Sequence, residues 1–486
     1  MGFYGIFWVL FMSVEKEYAF DWIENNKKLL IEISDKVWEL AELGLIEFKS
    51  SALLADELEN HGFRVERGIA DMPTAFVATW GEGKPVIGIM GEYDALPGLS
   101  QKKVPWKQPL EPGKPGHGCG HNIHGTSGMA ATIAIKKAME KHKIKGTIKF
   151  FGCPAEENFG GKVYMVRDGC FNDVNAVISH HPMDMNYVAL ESTLAVNSAK
   201  FHFYGKASHA GDSPEHGRSA LDAVELMNIG VNYLREHVIQ DARIHYVIEK
   251  GGDQPNIVPQ YARSWYYVRA PERDQLDFIY NWILEIAKGA SIMTKTEVKV
   301  DFMEGCYNLI PNRTISELIV ENMREIGLPK YSDKDWKFAE EIAKTIDSEM
   351  KIAQLKKSKR PGWERLVDKL IDDEVPDPWG EGETSHGSTD VADVSWMTPT
   401  VEFGTAAGVL GSPGHSWQDV AESGVGLGHK SLIFAAKVMA ATAIDLLTKE
   451  DALNKAREEH KRRIGNKKYR SPIPPDHKPP LDVWEK

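Results

Sequence analysis

The pattern that most narrows what this chain can fold into is an alternation of wholly apolar runs with amphipathic ones. "PVIGIMG", "GTIKFFGCP" and "VNAVISH" are apolar along nearly their whole length, as strands covered on both faces must be. Around them, "KKLLIEISDKVWELAELG" sets Leu30, Ile33, Val37 and Leu40 on one helical face, and "ALLADELENHGF" and "GTSGMAATIAIKKAMEKH" also read as helices. This rhythm predicts an α/β fold with a mostly parallel sheet between helices. At 486 residues the chain is too long for one simple core, so more than one domain is expected.

The rhythm changes near residue 194. "LAVNSAKFHFYG" alternates polar and apolar, "SALDAVELMNIGVNYLREHV" is a long helix, "RSWYYVRA" a strand, "DQLDFIYNWILEIAKGASIM" a second helix and "EVKVDFMEG" a closing strand. A smaller α+β unit over 195–306 is therefore expected as an insert between two parts of a catalytic domain, 16–194 and 307–470. Residues 330–375, rich in Lys, Glu and Asp, read as surface helices, and "GHKSLIFAAKVMAATAIDLL" as an apolar final helix. Residues 471–486 form a Pro-rich tail expected to run extended along the surface. Residues 1–15 read as an N-terminal extension with Met12 as a candidate start; their apolar run is far shorter than the roughly 20 residues of a spanning helix.

A formal net charge of -12 argues against nucleic acid or an anionic membrane as partner. The four cysteines, at 119, 153, 170 and 306, show no framework spacing, which points to a reducing compartment, the cytoplasm.

Four clusters fall just past strands: Glu92 and Asp94 in "GEYDALPG", Glu156 and Glu157 in "PAEEN", His180 and His181 in "HHPMD", and His415 in "GSPGHSWQD". Open α/β sheets place their sites at strand C-terminal ends. A fifth cluster, "GHGCGHNIHGT", carries Cys119 and His121 as C-x-H. One thiolate, one carboxylate and three imidazoles suffice for two divalent transition ions sharing a ligand. Of two adjacent carboxylates, one can bind metal while the other takes a proton. A Cys119 nucleophile with His121 as base is the alternative, and it leaves Glu157, His181 and His415 without a role. His117 and His124 read as loop or pocket wall, His180 as a neighbour of His181, and Cys153 and Cys170 as core; His386 has no assigned role.

"GEYDALPGLSQ", "GHGCGHN", "CPAEEN", "HHP", "GKASHAGDSPEHGRSALDAV", "PNIVPQ", "GSTDVADVSW" and "PGHSWQ" occur in one order along almost the whole chain. Together they resemble the aminoacylase/carboxypeptidase superfamily of co-catalytic metallopeptidases, in its amidohydrolase branch. That resemblance implies two divalent ions, Mn2+ or Zn2+, with Cys119 between them and His121, Glu157, His181 and His415 completing the ligands. It implies Glu156 as general base toward a water held between the ions, and Asp94 as the acid orienting a metal ligand. Glu92 stands where carboxypeptidase relatives carry a ligand histidine, so its part, ligand or neighbour, stays open. The inserted unit resembles a lid and dimerisation domain. There His209 would steady the oxyanion, commonly in the partner subunit's site, and Asn256 and Arg269 would hold the substrate carboxylate.

The activity so implied is hydrolysis of an N-acyl- or N-aroyl-amino acid such as p-aminobenzoyl-glutamate. A dipeptidase acting on small β-alanyl-type dipeptides, or a non-catalytic partner subunit, are the alternatives. A homodimer through the lid, with a related second subunit as a further partner, is the implied assembly.

Overall fold

The computed structural model describes residues 12–484. Its strands are β1 (Arg64–Arg67), β2 (Phe76–Glu82), β3 (Val86–Glu92), β4 (Gly146–Cys153), β5 (Ala176–Met183), β6 (Ala195–Tyr204), β7 (Arg243–Lys250), β8 (Tyr261–Ala270), β9 (Glu297–Cys306) and β10 (Thr400–Ala406). They form two sheets, one in the order β1-β2-β4-β3-β5-β10 and one in the order β7-β8-β6-β9. In the first, β4, β3, β5 and β10 run parallel, while β2 and β1 extend the edge antiparallel. The second is antiparallel throughout. The class is the expected one, α/β with a smaller α+β unit.

Burial follows the residue pattern. Every residue of β3 is buried, because helices cover both faces of the first sheet. Along β8, buried residues alternate with half-buried ones, since only one face packs on the helices Ala220–Leu234 and Arg273–Thr294.

The helix His121–His142 lies directly on β3. A Cβ added at Gly125 would come within 2.5 Å of the Glu92 carbonyl oxygen, and one at Gly128 within 2.7 Å of that of Met90. Glycine at both places lets the helix backbone press onto the strand, and so carries His121 to the strand's C-terminal end. Against this helix packs Gly426–Thr448, long and apolar enough to span a bilayer by composition, yet 83% buried over its most apolar window. That makes it a core helix.

Several local expectations change. Gly426–Thr448 is followed by Glu450–Ile464, whose mean polarity hid it, although Leu453 and Ala456 are buried. The edge strand β7 carries exposed Val247 and Ile248 and shows little alternation. The segment 330–375 does form helices, Asp333–Ala343 and Ser348–Lys357, but it also buries Ala339, Ile342 and Leu355 and seats a buried Arg360–Asp372 ion pair. The tail does more than lie on the surface: Ile473 is buried, and Trp484 donates Nε1–H to the Gly44 carbonyl at 2.8 Å. Of the expected extension, residues 1–11 lie outside the described ones, and Ser13 caps the helix Val14–Asn25.

Candidate active site and metal centre

Three of the parallel strands deliver side chains to one place. β3 ends at Glu92, and Asp94 follows two residues on. Past β4 the chain reverses at Ala155, a non-glycine residue at φ +58°, before the short helix Glu156–Phe159. That strained turn is held by the Ala155 N–H, which donates to Glu47 Oε1 at 2.8 Å. It also requires Gly44, where a Cβ would lie 2.9 Å from the Ala155 Cα. The turn aims Glu156 and Glu157 across the sheet end.

His181, expected just beyond a strand, sits inside β5 and pairs with Gly404 of β10. Strand alternation then separates the two histidines. His180 points into the core, where its ring meets Ser127 Oγ at 3.2 Å and Thr405 Oγ1 at 2.7 Å, while His181 faces Cys119. Gly120 has φ +70°, and a Cβ there would come within 2.6 Å of the Pro182 ring, so glycine brings the Cys119 loop onto β5. The N–H of His415 donates to the Gly118 carbonyl at 3.2 Å, tying the last cluster to the same loop.

Four groups of donor atoms converge among the described residues: two are built wholly from the expected ligands, and the others are Glu92, His121 and Glu156, and Glu92, His124 and Glu402. Cys119, His121 and His181 have donor atoms within 4.8 Å of one another, and so do Cys119, Glu157 and His415. Cys119 belongs to both. Its Sγ lies 3.4 Å from His181 Nε2, and Glu157 Oε2 lies 3.5 Å from His415 Nε2. Both inner histidines have one nitrogen engaged: His121 Nδ1 meets Asp94 Oδ1 at 2.8 Å, and His181 Nδ1 meets the Pro182 carbonyl at 2.8 Å. Each therefore presents Nε2 to the centre, the arrangement of a metal-ligating imidazole. His121 Nε2, Glu157 Oε1 and Glu92 Oε2 are buried and have no hydrogen-bond partner among the described residues, although His121 Nε2 and Glu92 Oε2 lie 3.2 Å apart. Orphaned donor atoms aimed at one point beside a thiol fit divalent ions well. The chain carries the donor set for two divalent metal ions.

The electrostatics agree. Burial, then the neighbouring Glu157, push the Cys119 thiol well up, which is the opposite of what a free cysteine nucleophile needs. Only a cation at Sγ would make it a thiolate. Burial and the nearby His121 hold the His181 ring down, at about 4, so it stays a neutral ligand. Burial, then the Glu92 and Asp390 charges, push the Glu156 carboxyl well up and raise its affinity for a proton.

Asp94 does two jobs, since its Oδ2 also accepts the Glu157 N–H at 3.0 Å. Arg269 reaches from β8 into a cavity of about 280 Å3 that Glu156, Glu157 and His415 also line, and its guanidinium donates to Ser388 Oγ at 2.8 Å. His209 and Asn256 are exposed and line neither this cavity nor its neighbour around Cys119. Glu92 faces two ways: Oε1 lies 2.6 Å from Lys162 Nζ, which is also 2.6 Å from Asp390 Oδ1, while Oε2 lies 3.2 Å from His121 Nε2 and joins His121 and Glu156 in a further donor group. His124 lies in the helix rather than a loop, its Nδ1 accepting the Glu92 N–H at 2.9 Å. Sequence reasoning missed Lys162 and Asp390, which lie fully buried behind Glu156. The one signal for Lys162 was a charge in the otherwise small or apolar run "GGKVYMV".

A strand-end cluster of Cys, His and Glu that can hold two divalent ions, with a further carboxylate beside them, defines a metal-dependent hydrolase of amide bonds. Residues 88–442 match the model of peptidase family M20/M25/M40, and the chain belongs to that family. It is 39% identical over 464 residues, 93% of this chain and 96% of the relative, to one of the subunits of the p-aminobenzoyl-glutamate hydrolase of Escherichia coli (strain K12). It is 29% identical over 335 residues, 66% of this chain and 74% of the relative, to the Xaa-Arg dipeptidase of Mus musculus. In fold it is similar to the crystal structure of a dinuclear metal-binding M20 peptidase of Bacillus subtilis, with a TM-score of 0.54 at 18% identity over 87% of this chain and 99% of that one.

Proposed function

We propose that this chain hydrolyses the amide bond of an N-aroyl-amino acid of the p-aminobenzoyl-glutamate type. The observation that carries the reading is the place of Cys119 in two donor groups at once, with Glu156 beside them on the cavity wall. The 39% identity to the Escherichia coli hydrolase chain supports the substrate.

Cys119, His121 and His181 would hold one ion, and Cys119, Glu157 and His415 the other. Mn2+ or Zn2+ bound there would polarise the amide carbonyl and acidify water; the mixed donor set suits either. Asp94 fixes the His121 ring and the Glu157 backbone, so two ligands on different elements move together. Glu156 accepts a proton from the attacking water at its carboxylate and passes it to the leaving amine nitrogen. Its buried acidic neighbours favour the first transfer, and Lys162 keeps their combined charge in check. Arg269, braced by Ser388, holds the carboxylate of the amino-acid half.

His209 Nδ1 accepts the N–H groups of Gly211 and Asp212 at 3.2 and 2.9 Å, which leaves Nε2–H as an exposed donor. We assign that donor to the cleft of a second copy, where it would steady the oxyanion, and Asn256 to the substrate carboxylate there. Exposed Tyr233, Val247 and Ile248 on the inserted unit support a homodimer formed there. The Escherichia coli relative is named as one subunit of its hydrolase, which supports a further, different partner chain. Four free cysteines, one of them a ligand, suit the cytoplasm. The likeness to the mouse enzyme favours a small dipeptide as the second substrate reading.

The test uses chelator-stripped protein with Mn2+ or Zn2+ added back, following p-aminobenzoate release from p-aminobenzoyl-glutamate. Release restored by metal and reduced roughly 10²- to 10⁴-fold by Glu156→Gln is the expected result. Protein that binds no divalent ion would overturn the reading.

A further inference from the structure

A second cavity, of about 210 Å3, opens on the other members of the ligand set. Cys119 and His181 line it, and His415 borders both cavities. Its walls are apolar on one side, from Ile123, Pro182, Met183 and Ala407. Asp184, Asp419 and Glu422 line it as well. We propose that this cavity receives the acyl half of the substrate, and that Glu422 with Asp184 and Asp419 selects acyl groups that carry an amine.

The space suits a single ring, since an apolar cavity of about 150 Å3 admits benzene. The acids are anchored on one side only. Glu422 Oε1 accepts the Val409 N–H at 2.9 Å and the Ser412 hydroxyl at 3.0 Å, while Oε2, buried in a residue 2% exposed, has no partner among the described residues. A Cβ at Gly408, another wall residue, would lie 2.4 Å from that Oε2, so glycine makes room for the carboxylate at the wall. Asp184 Oδ2 accepts from Gln354 Nε2 at 3.2 Å and the Gly411 N–H at 2.9 Å.

Lys351 is the cation near Asp184, but its ammonium is engaged with the Lys369 carbonyl at 2.6 Å and does not line the cavity. Of the three acids, Glu422 thus keeps an oxygen without a donor, which an amine N–H would supply. Burial raises Asp184 to about 6, with the Asp372 charge adding to it, and raises Glu422 to about 8, with the Asp184 charge adding to it. An aminoaroyl group meets both demands, with its ring on the apolar wall and its N–H groups on Glu422. An unsubstituted aroyl group would leave that Glu422 oxygen without a donor. The inference rests on the amidohydrolase reading for the placing of the acyl half, but not on turnover.

The test is calorimetric titration of the full chain, loaded with Mn2+ or Zn2+, with 4-aminobenzoate, 4-(aminomethyl)benzoate and benzoate. Expected is binding of both amines about tenfold or more tighter than benzoate, with the gap closing in Glu422→Gln. Glutamine keeps the oxygen that accepts from Val409 and Ser412, so the variant should fold. Equal affinities in the unsubstituted protein, or a gap that survives Glu422→Gln, would overturn the proposal. Hydrolysis of p-aminobenzoyl-glutamate with equal affinities rejects the subsite alone. Amine-selective binding without hydrolysis supports the subsite and rejects the substrate reading.

Discussion

Asp94 Oδ1 lies 2.8 Å from His121 Nδ1, and both side chains are fully buried. The contact fixes which nitrogen of His121 faces the ligand cluster. Burial alone would lower the ring's proton affinity, and the Asp94 carboxylate, with Cys119 and Glu92 adding to it, more than reverses this. A ring so held is a stronger base toward any cation at Nε2. Asp94→Asn keeps the shape but weakens the pull. It is expected to lower metal affinity about 10- to 100-fold, measured by competition with a chelating indicator while far-ultraviolet circular dichroism stays unchanged.

Because Cys119 belongs to both donor groups and His181 to one, their removal should differ in stoichiometry. Cys119→Ala is expected to bind neither ion tightly, whereas His181→Ala should retain the Glu157–His415 ion. Elemental analysis after gel filtration reads the two directly. Equal loss in both variants would contradict a shared thiolate.

Lys162 is fully buried between Glu92 and Asp390. Lys162→Met would leave two carboxylates facing each other without a cation. The expected cost is about 3–5 kcal/mol, seen as a lowered urea midpoint. Adding Asp390→Asn to the variant should recover part of it.

Asp393 supplies a pH-dependent component of stability. Burial pushes its carboxyl up to about 7, against the Tyr307 N–H and Tyr469 hydroxyl that donate to it at 2.9 and 2.8 Å. Unfolded, the group titrates near 3.9. Between about pH 4 and 7 the folded chain therefore holds a proton that the unfolded chain releases, and stability falls as pH rises through that window, by about 1.4 kcal/mol per pH unit at most. Asp393→Asn can accept from Tyr307 and donate to Tyr469. It should flatten that slope in unfolding curves taken at several pH values.

Trp484 ties the tail to the turn that carries the candidate base. It donates to the Gly44 carbonyl and packs edge-on against Phe159 at 6.2 Å, while Gly44 backs Ala155. Trp484→Ala is expected to lower kcat several-fold with KM unchanged, and to cost about 1–2 kcal/mol of stability. Steady-state kinetics and urea unfolding separate the two effects.

The apolar runs of β3, β4 and β5 were legible because a strand covered on both faces must be apolar at every position, a local property of sequence. The short polar edge β1 and the half-exposed β7 obey no such demand, and they were not legible. Glu92, Asp94, Cys119, Glu156, Glu157, His181 and His415 stood out in the same local way, as reactive residues clustered near apolar strands. Their convergence was decided by tertiary structure, through glycines 44, 120, 125 and 128, which let backbones approach to distances a Cβ would forbid. So was the pairing of Lys162 with Asp390, 228 residues apart, since a buried charge finds its partner across the core rather than along the chain. The acids at 184, 419 and 422 share one cavity for the same reason: sequence names the groups, and only packing decides which of them water cannot reach.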